Sequence, residues 1–195
     1  MKLTGLFDGD ILAYRAGFAA EKMVYFDSRK PPSNGGATWQ YKKDVMLEVP
    51  AEFVDKARNL EPIEHALYNV KSLVKNSLEA LENYYGTTEI EYETFLSGNK
   101  NKENFRKSVD KEYKANRTGS HRPTYLPELM EYLVAHHNGY LTEGCEADDF
   151  FGHASITARG KQRTPVIISI DKDLKQIAGH HYNPVKNIFS IVSKE

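Results

Sequence analysis

The stretch that most limits the fold is "TPVIISI", residues 164–170, an apolar run that leads directly into "DKD". Interior strands of parallel sheets are covered by helices on both faces, so they are apolar throughout instead of alternating with polar residues. Near the N-terminus, "LTGLFD" is a second short strand pattern, and it runs into a helical pattern over residues 11–20. These patterns predict an α/β fold with a central twisted, mostly parallel sheet flanked by helices.

Other segments fit the same fold class. An apolar stripe predicts a helix over residues 62–86, and the alternating residues 89–96 predict a half-buried strand. A further helix is expected to begin near Pro127, and "GYLTEG" is another short strand pattern. The Gly- and Pro-rich residues 27–37 predict a hairpin tip or an insertion, and no chemistry is assigned to residues 21–60.

Length and composition favour a single domain over residues 1–195. A chain of 195 residues with 40% hydrophobic content suffices for one sizeable core. The single cysteine, Cys145, excludes an internal disulfide and a multi-cysteine zinc site. No apolar run reaches the roughly 18 residues that suggest a membrane span, and the N-terminus lacks the features of a signal peptide. We therefore expect a cytoplasmic protein without a membrane partner.

Carboxylates cluster where predicted strands end or a helix begins. Asp8 ends the first strand, "DKD" follows the apolar strand, and "GCEADDFFG" precedes a helix. The carboxyl ends of parallel strands lie at one edge of a sheet, so these acids are expected to lie together. Such an oxygen-only cluster favours Mg²⁺ or Mn²⁺ over Zn²⁺. First-turn capping is the alternative explanation of "EADD", and Asp10 is expected to cap the helix that follows Asp8.

The basic residues are concentrated in one segment, although the net charge of the chain is only −1. Residues 100–122 hold eight Lys or Arg against three acids, in a long connection between a strand and the next helix. An acidic cluster beside such a segment suits a metal site next to a polyanion-binding surface. A solvated charged loop is the alternative explanation.

Four motifs together resemble the 5′ nucleases of the flap endonuclease superfamily, which are PIN-like proteins, and most closely the short phage 5′-to-3′ exonucleases. They are "LFDGDILAYRAGFAAE", "NFRKSVDKEYKANR", "GCEADDFFG" and "VIISIDKDLKQI", and they occur in the family's order. The resemblance implies a single 5′ nuclease catalytic domain that holds two Mg²⁺ or Mn²⁺ ions, with an arch over about residues 98–124. The implied metal ligands are Asp8, Glu146, Asp148, Asp149, Asp171 and Asp173.

The resemblance also assigns roles in the arch and an activity. Lys114 and Arg117 are the implied catalytic residues that meet the scissile phosphate. Further implied contacts to nucleic acid are Arg106, Lys107, Lys111, Tyr113 and Arg122, of which Tyr113 is suited to base stacking. The implied reaction is metal-dependent hydrolysis of phosphodiester bonds in DNA with a free 5′ end or flap, leaving 5′-phosphates. RNA primers in RNA–DNA hybrids are a further implied substrate.

The sequence departs from the family pattern in two places. Many relatives end the strand before the arch with an aspartate, where this chain has "SGN" at residues 97–99. Family members usually continue into a helix-hairpin-helix module that grips duplex DNA, and these 195 residues contain none. The second departure implies a fragment, a split gene product or a truncated protein, and a partner subunit that supplies the module.

Three other functions fit part of the sequence. The chain could be a nucleic-acid-binding module that lacks metal ligands and needs a partner for activity. A haloacid-dehalogenase-type phosphatase would explain the two aspartates of "FDGD", but neither "EADD" nor the basic segment. A PIN-type ribonuclease shares the acidic sheet edge but is usually shorter. The paired histidines in "AHHN" and "GHHY" are expected in surface or loop positions, because adjacent side chains diverge.

Overall fold

The computed structural model describes residues 1–98, 121–143 and 145–193. This part of the chain contains nine strands and five α-helices. The strands are β1 (Leu3–Asp8), β2 (Glu21–Asp27), β3 (Thr38–Trp39), β4 (Val54–Leu60), β5 (Ile90–Ser97), β6 (Gly139–Thr142), β7 (Thr164–Ile168), β8 (Gly179–Asn183) and β9 (Ile188–Val192). The helices are α1 (Gly9–Ala19), α2 (Lys42–Val45), α3 (Ile63–Tyr85), α4 (Leu126–His136) and α5 (Asp148–Gly160).

Six strands form the central sheet, in the order β6-β5-β1-β7-β8-β9. β1 pairs in parallel with β5 and β7, and among the described strands of this sheet only β9 runs antiparallel to its neighbour. Leu3 and Phe7 pack with α1, α3 and α4 on one face, whereas Leu6 and Ile167 pack with α5 on the other. The predicted α/β fold with a mostly parallel sheet flanked by helices is therefore confirmed.

The turn from β1 into α1 brings the chain close to β5. Asp8 is the N-cap of α1, and its Oδ1 accepts a hydrogen bond from Ile11 N at 3.2 Å. A side chain at Gly9 would lie 2.8 Å from the carbonyl oxygen of Phe95, so a glycine is needed for this close approach. The prediction that Asp10 caps the helix is wrong, because the helix begins at Gly9 and Asp10 already lies in its first turn.

α3 follows the predicted apolar stripe. Val70, Val74 and Leu81 are buried in the core beneath the sheet. The helix ends at Gly86, whose φ of 65° is a left-handed conformation that glycine adopts without strain. Along the described residues, no helix is both long enough and apolar enough to cross a bilayer.

The sequence-based expectations about burial hold only in part. The first half of β5 is half-buried, as expected, but its end lies between β1 and β6 and buries both Phe95 and Leu96. His181 was expected at the surface, but it lies in β8 and is only 7% exposed. Its Nε2–H donates to the carbonyl oxygen of Ile177 at 2.8 Å, which satisfies the buried ring.

A second, smaller sheet is formed within residues 21–60. It is antiparallel, with the strand order β3-β2-β4. The Gly- and Pro-rich residues 28–37 connect β2 to β3, which confirms the predicted hairpin tip. Phe26 of β2 is buried, as is Val45 of α2, and α2 contacts both β2 and β3. The small sheet therefore has a core of its own on one face.

Candidate active site at the carboxyl edge of the sheet

Asp8 stands at the C-terminal end of the central strand and is only 5% exposed. Its Oδ1 accepts from Ile11 N, and its Oδ2 accepts from Ser169 Oγ at 2.8 Å. Burial raises the pKa of Asp8 to about 7, and the charges of Asp10 and Asp148 add to this effect, although the two hydrogen bonds oppose it. A buried carboxyl group with a raised pKa is characteristic of functional sites.

Ser97, the last residue of β5, connects the starts of two helices at this edge. Its backbone N–H donates to Asp10 Oδ1 at 3.0 Å, in the first turn of α1. Its hydroxyl oxygen accepts from Ala147 N at 3.1 Å, directly before α5. The stretch in which the family pattern has an aspartate therefore contributes a neutral hydroxyl, which orders the acidic edge by hydrogen bonding.

Ser169, directly after β7, has a similar role on the other side of β1. Its hydroxyl donates to Asp8 Oδ2, and its oxygen accepts from Asp171 N at 2.9 Å. The Asp8 carboxylate and the Asp171 backbone therefore lie within about 6 Å of each other. Asp173 N donates to Asp171 Oδ1 at 2.9 Å, so "DKD" forms a hydrogen-bonded turn with exposed side chains. Sequence analysis missed the part played by Ser169.

The "EADD" motif spans the start of α5. Asp148 is the first residue of the helix, and its charge adds to the raised pKa of Asp8. Asp149 Oδ2 accepts from Glu146 N at 3.2 Å, and Asp149 N donates to the carbonyl oxygen of Glu146 at 3.2 Å. This pair is the first-turn capping that the sequence left open as an alternative. These two hydrogen bonds order the turn at the start of α5.

The chemistry of the edge suits a hard cation. The donor atoms near Asp8 are carboxylate and hydroxyl oxygens, and a cation would offset the repulsion among the acids. Within residues 1–98, 121–143 and 145–193, no three His, Cys, Asp or Glu side chains are arranged to hold one ion together. Asp149, Asp171 and Asp173 are exposed. The ligand set of six carboxylates stays a prediction.

Most of the predicted nucleic-acid contacts lie outside the described residues. They are Arg106, Lys107, Lys111, Tyr113, Lys114 and Arg117. Arg122 is described and exposed. On either side of it, His121 Nε2 lies 2.6 Å from Glu21 Oε2, and Thr124 N donates to Glu21 Oε1 at 2.5 Å. Although burial opposes the effect, these contacts lower the pKa of Glu21 to about 2, so an ionised carboxylate ties the end of the basic segment to β2.

Comparison with known proteins shows the family of the chain. The family described as "5′-3′ exonuclease, N-terminal resolvase-like domain" matches residues 65–194. The chain belongs to this family. A 5′-3′ exonuclease of Buchnera aphidicola subsp. Schizaphis graminum (strain Sg) is 28% identical over 128 residues, which make up 64% of this chain and 42% of that protein.

Solved structures of T5 proteins share the fold of this 5′-3′ exonuclease family chain. T5 5′-exonuclease with bound zinc gives a TM-score of 0.53 at 16% identity, and the match covers 98% of this chain and 58% of that one. T5 D15 protein co-crystallised with metal ions gives 0.51 at 15% identity, covering 97% of this chain and 58% of that one. T5 D15 flap endonuclease in a pseudo-enzyme-product complex with DNA and metal ions gives 0.51 at 13% identity, with the same coverage.

The chain spans 42% to 58% of the length of these relatives. The family match begins in α3, so β1, α1 and the small sheet precede it. Asp8 nevertheless contacts the matched part directly, because Ser169 donates to its carboxylate. The acidic edge is therefore built jointly by the N-terminal strand and the portion that defines the family.

Proposed function

We propose that this chain is the catalytic part of a divalent-metal-dependent 5′-to-3′ exonuclease or flap endonuclease. It acts on DNA with a free 5′ end or flap, with RNA–DNA hybrids as a further substrate, and it leaves 5′-phosphates. The observation that carries the proposal is the buried Asp8 carboxylate at the end of the central strand, which the Ser169 hydroxyl joins to the backbone of Asp171. Membership of the 5′-3′ exonuclease family supports nucleic acid as the substrate.

In the proposal, Mg²⁺ or Mn²⁺ is held by carboxylate oxygens, with two ions as the expected number. The residues that would hold the ions are Asp8, Glu146, Asp148, Asp149, Asp171 and Asp173. When bound, such ions lower the pKa of a coordinated water and neutralise charge on the scissile phosphate. Ser169 and Ile11 fix both oxygens of Asp8, so this carboxylate has one orientation before substrate arrives.

The basic segment supplies the positive charge that a polyanionic substrate needs. Lys114 and Arg117 are proposed to contact the scissile phosphate. Arg106, Lys107, Lys111, Tyr113 and Arg122 are proposed to hold the rest of the strand. A partner subunit that supplies a helix-hairpin-helix module to grip duplex DNA is a further part of the proposal.

The test is cleavage of labelled DNA duplexes that carry a flush 5′ end or a 5′ flap. Mg²⁺ or Mn²⁺ is expected to support release of 5′-phosphorylated products, and excess chelator is expected to stop it, since carboxylates alone cannot stabilise an anionic transition state. Zn²⁺ is expected to substitute poorly. Full hydrolysis in excess chelator would exclude the metal mechanism.

The same assay separates the other functions. Release of phosphate from small phosphomonoesters, without DNA cleavage, would assign the chain to the phosphatases. Metal-independent binding of flap DNA without cleavage would make it a binding module that is inactive without its partner. Cleavage that appears only after a helix-hairpin-helix protein is added would support the partner subunit.

Lys114→Ala is expected to lower the single-turnover rate of DNA cleavage at least about tenfold, roughly 1.4 kcal/mol, with a much smaller loss of DNA affinity. The reason is that a cation at the scissile phosphate stabilises charge that builds up in the transition state. Single-turnover cleavage is measured beside equilibrium binding in Ca²⁺, which is expected to hold DNA without supporting the reaction.

Lys102→Ala is the matched control within the same basic segment. As a general backbone contact, Lys102 is expected to contribute modestly to binding and to its salt dependence, and not to the rate. Equal, small effects of both substitutions on rate and affinity would make the basic segment a solvated loop without a role in the reaction.

A further inference from the structure

One face of the small sheet combines aromatic rings with a cation in a single row. Side chains alternate between the two faces of a strand, so Glu21, Met23 and Tyr25 of β2 share one face. Tyr25 lies opposite Trp39 on β3 and opposite Lys56 on β4. Trp39, Tyr25 and Lys56 therefore form a row across all three strands.

A second cation extends this row. Arg58 lies opposite Met23, one pair of residues further along β4 on the same face as Lys56. Both cations are exposed. Arg58 Nε is 3.8 Å from Glu21 Oε2, but that carboxylate also accepts hydrogen bonds from the end of the basic segment. Among the described residues, no carboxylate lies within ion-pair distance of the Lys56 ammonium group. The face therefore presents positive charge to solvent.

The two rings on this face are exposed in part and have no ring partner. Tyr25 and Trp39 are half-buried, and in the described part of the chain neither makes a ring–ring contact. No described protein group forms a hydrogen bond with the Tyr25 hydroxyl or the Trp39 indole N–H. Neither group is among the buried polar atoms that lack a partner, so both are accessible to water. Phe26 points to the opposite face, which is the buried side of the sheet.

We propose that this face, defined by Tyr25, Trp39, Lys56 and Arg58, binds single-stranded nucleic acid. Unpaired bases stack on the two rings, and the phosphates meet the two cations. Aromatic and basic side chains on a sheet suit this ligand, because every base has a π face and every linkage carries a negative charge. The choice of nucleic acid over a protein ligand rests on the proposed function and on this charge.

The position of the face would bring a bound strand beside the end of the basic segment. Glu21 lies on the same face of β2 as Tyr25, and it accepts hydrogen bonds from Thr124 N and Oγ1. A strand on the sheet would therefore pass beside residues 121–124, where Arg122 is exposed. The small sheet precedes the region matched by the family, so this contact would be an addition to the part that the family shares.

Trp39 makes the inference directly measurable, since it is the only tryptophan in the chain. Its fluorescence, excited where tyrosine does not absorb, reports on this face alone. Titration with oligothymidine is expected to quench it, because a stacked base contacts the indole ring. An abasic strand of equal length keeps the phosphates and lacks the bases, so it is expected to bind more weakly and to quench little.

Variants at Tyr25 separate stacking from folding. Tyr25→Leu is expected to weaken oligothymidine binding about tenfold, whereas Tyr25→Phe retains the ring and is expected to bind like the wild type. Lys56→Ala is expected to weaken the thymidine and abasic strands alike and to reduce the salt dependence of binding. The matched controls Tyr68→Leu on α3, where the side chain is 70% exposed, and Lys161→Ala after α5 are expected to leave binding unchanged.

The outcomes distinguish this inference from the proposed function. The wild type could cleave flap DNA while oligothymidine leaves Trp39 fluorescence unchanged and binds normally to Tyr25→Leu. In that case the face does not bind nucleic acid, and a protein ligand becomes the better explanation. If the wild type neither binds nor cleaves DNA under any metal condition, the proposed function fails together with this inference. Equal binding of the thymidine and abasic strands would support the contacts between the cations and the phosphates, and it would exclude base stacking on the rings.

Discussion

Asp8→Asn is expected to lower the single-turnover rate of DNA cleavage by about a hundredfold to a thousandfold, which is the usual cost of removing one element of a preorganised electrostatic site. Asn has nearly the same shape, and its side-chain oxygen can still accept from Ile11 N, so the start of α1 is preserved. The substitution removes the negative charge at the centre of the acidic edge. Cleavage is measured in saturating Mg²⁺ with a 5′ flap substrate.

Binding and a matched variant show whether this loss is specific. DNA affinity in Ca²⁺ is expected to stay equal or to rise, because one negative charge near the phosphates is gone. Asp44→Asn makes the same chemical change on α2, beside the small sheet, and is expected to leave the rate unchanged. Cleavage by Asp8→Asn at a rate close to that of the wild type would exclude Asp8 from the catalytic machinery.

The acidic edge could be predicted because it follows from topology. An apolar run such as "TPVIISI" requires a strand covered on both faces, and parallel strands must end at a common edge. Asp8 and Asp171 are therefore brought together by any fold that places β1 beside β7, as this one does. The side-chain positions at that edge do not follow from topology. Asp149, for example, accepts a hydrogen bond from Glu146 N and so caps the turn before α5.

The two serines at the edge could not be identified in advance. Ser97 and Ser169 each join two segments that are distant in the sequence, and a hydroxyl next to a strand end is too common to be a signal. The misplaced helix cap has a related cause. Asp8 and Asp10 are both good caps, and a shift of two residues in the helix start decides between them.

The small sheet could not be predicted because its sequence carries little alternation. β4 reads "VDKARNL", with polar residues on both faces, and β3 has only two residues. Its strands pair β2 with a segment about thirty residues later, so the contacts are set by tertiary packing instead of local preference. The same polarity leaves cations on the exposed face, which is the property on which the proposed nucleic-acid contact depends.

Without divalent cations, the contribution of Asp8 to the free energy of unfolding is expected to decrease as the pH rises from about 4 to about 7. In the unfolded chain this carboxyl ionises near its ordinary value of 3.8, whereas in the folded chain burial keeps it protonated up to about 7. Between these values the folded state binds more protons than the unfolded state, so stability falls as the pH rises. The full loss of folding stability from the ionisation of Asp8 corresponds to about 4 kcal/mol, and it is reached above pH 7.

Urea unfolding in chelator at a series of pH values measures this contribution, with Asp8→Asn as the comparison. The variant cannot ionise at this position, so it is expected to gain stability relative to the wild type as the pH rises, by a few kcal/mol at pH 8. Four other groups have lowered pKa values and make stability rise with pH, which is the opposite direction: Glu21, Glu61, His137 and His181. They are present in both proteins, so their effects cancel in the difference.

Addition of Mg²⁺ at pH 8 is then expected to stabilise the wild type more than Asp8→Asn, because an ion that binds only the folded state adds its binding free energy to stability. The ion also takes the place of the proton that Asp8 holds at low pH, so the gain is expected to shrink below about pH 6. Parallel pH profiles of wild type and variant in chelator would mean that Asp8 ionises like an exposed aspartate. An equal effect of Mg²⁺ on both proteins would place the ion elsewhere on the chain.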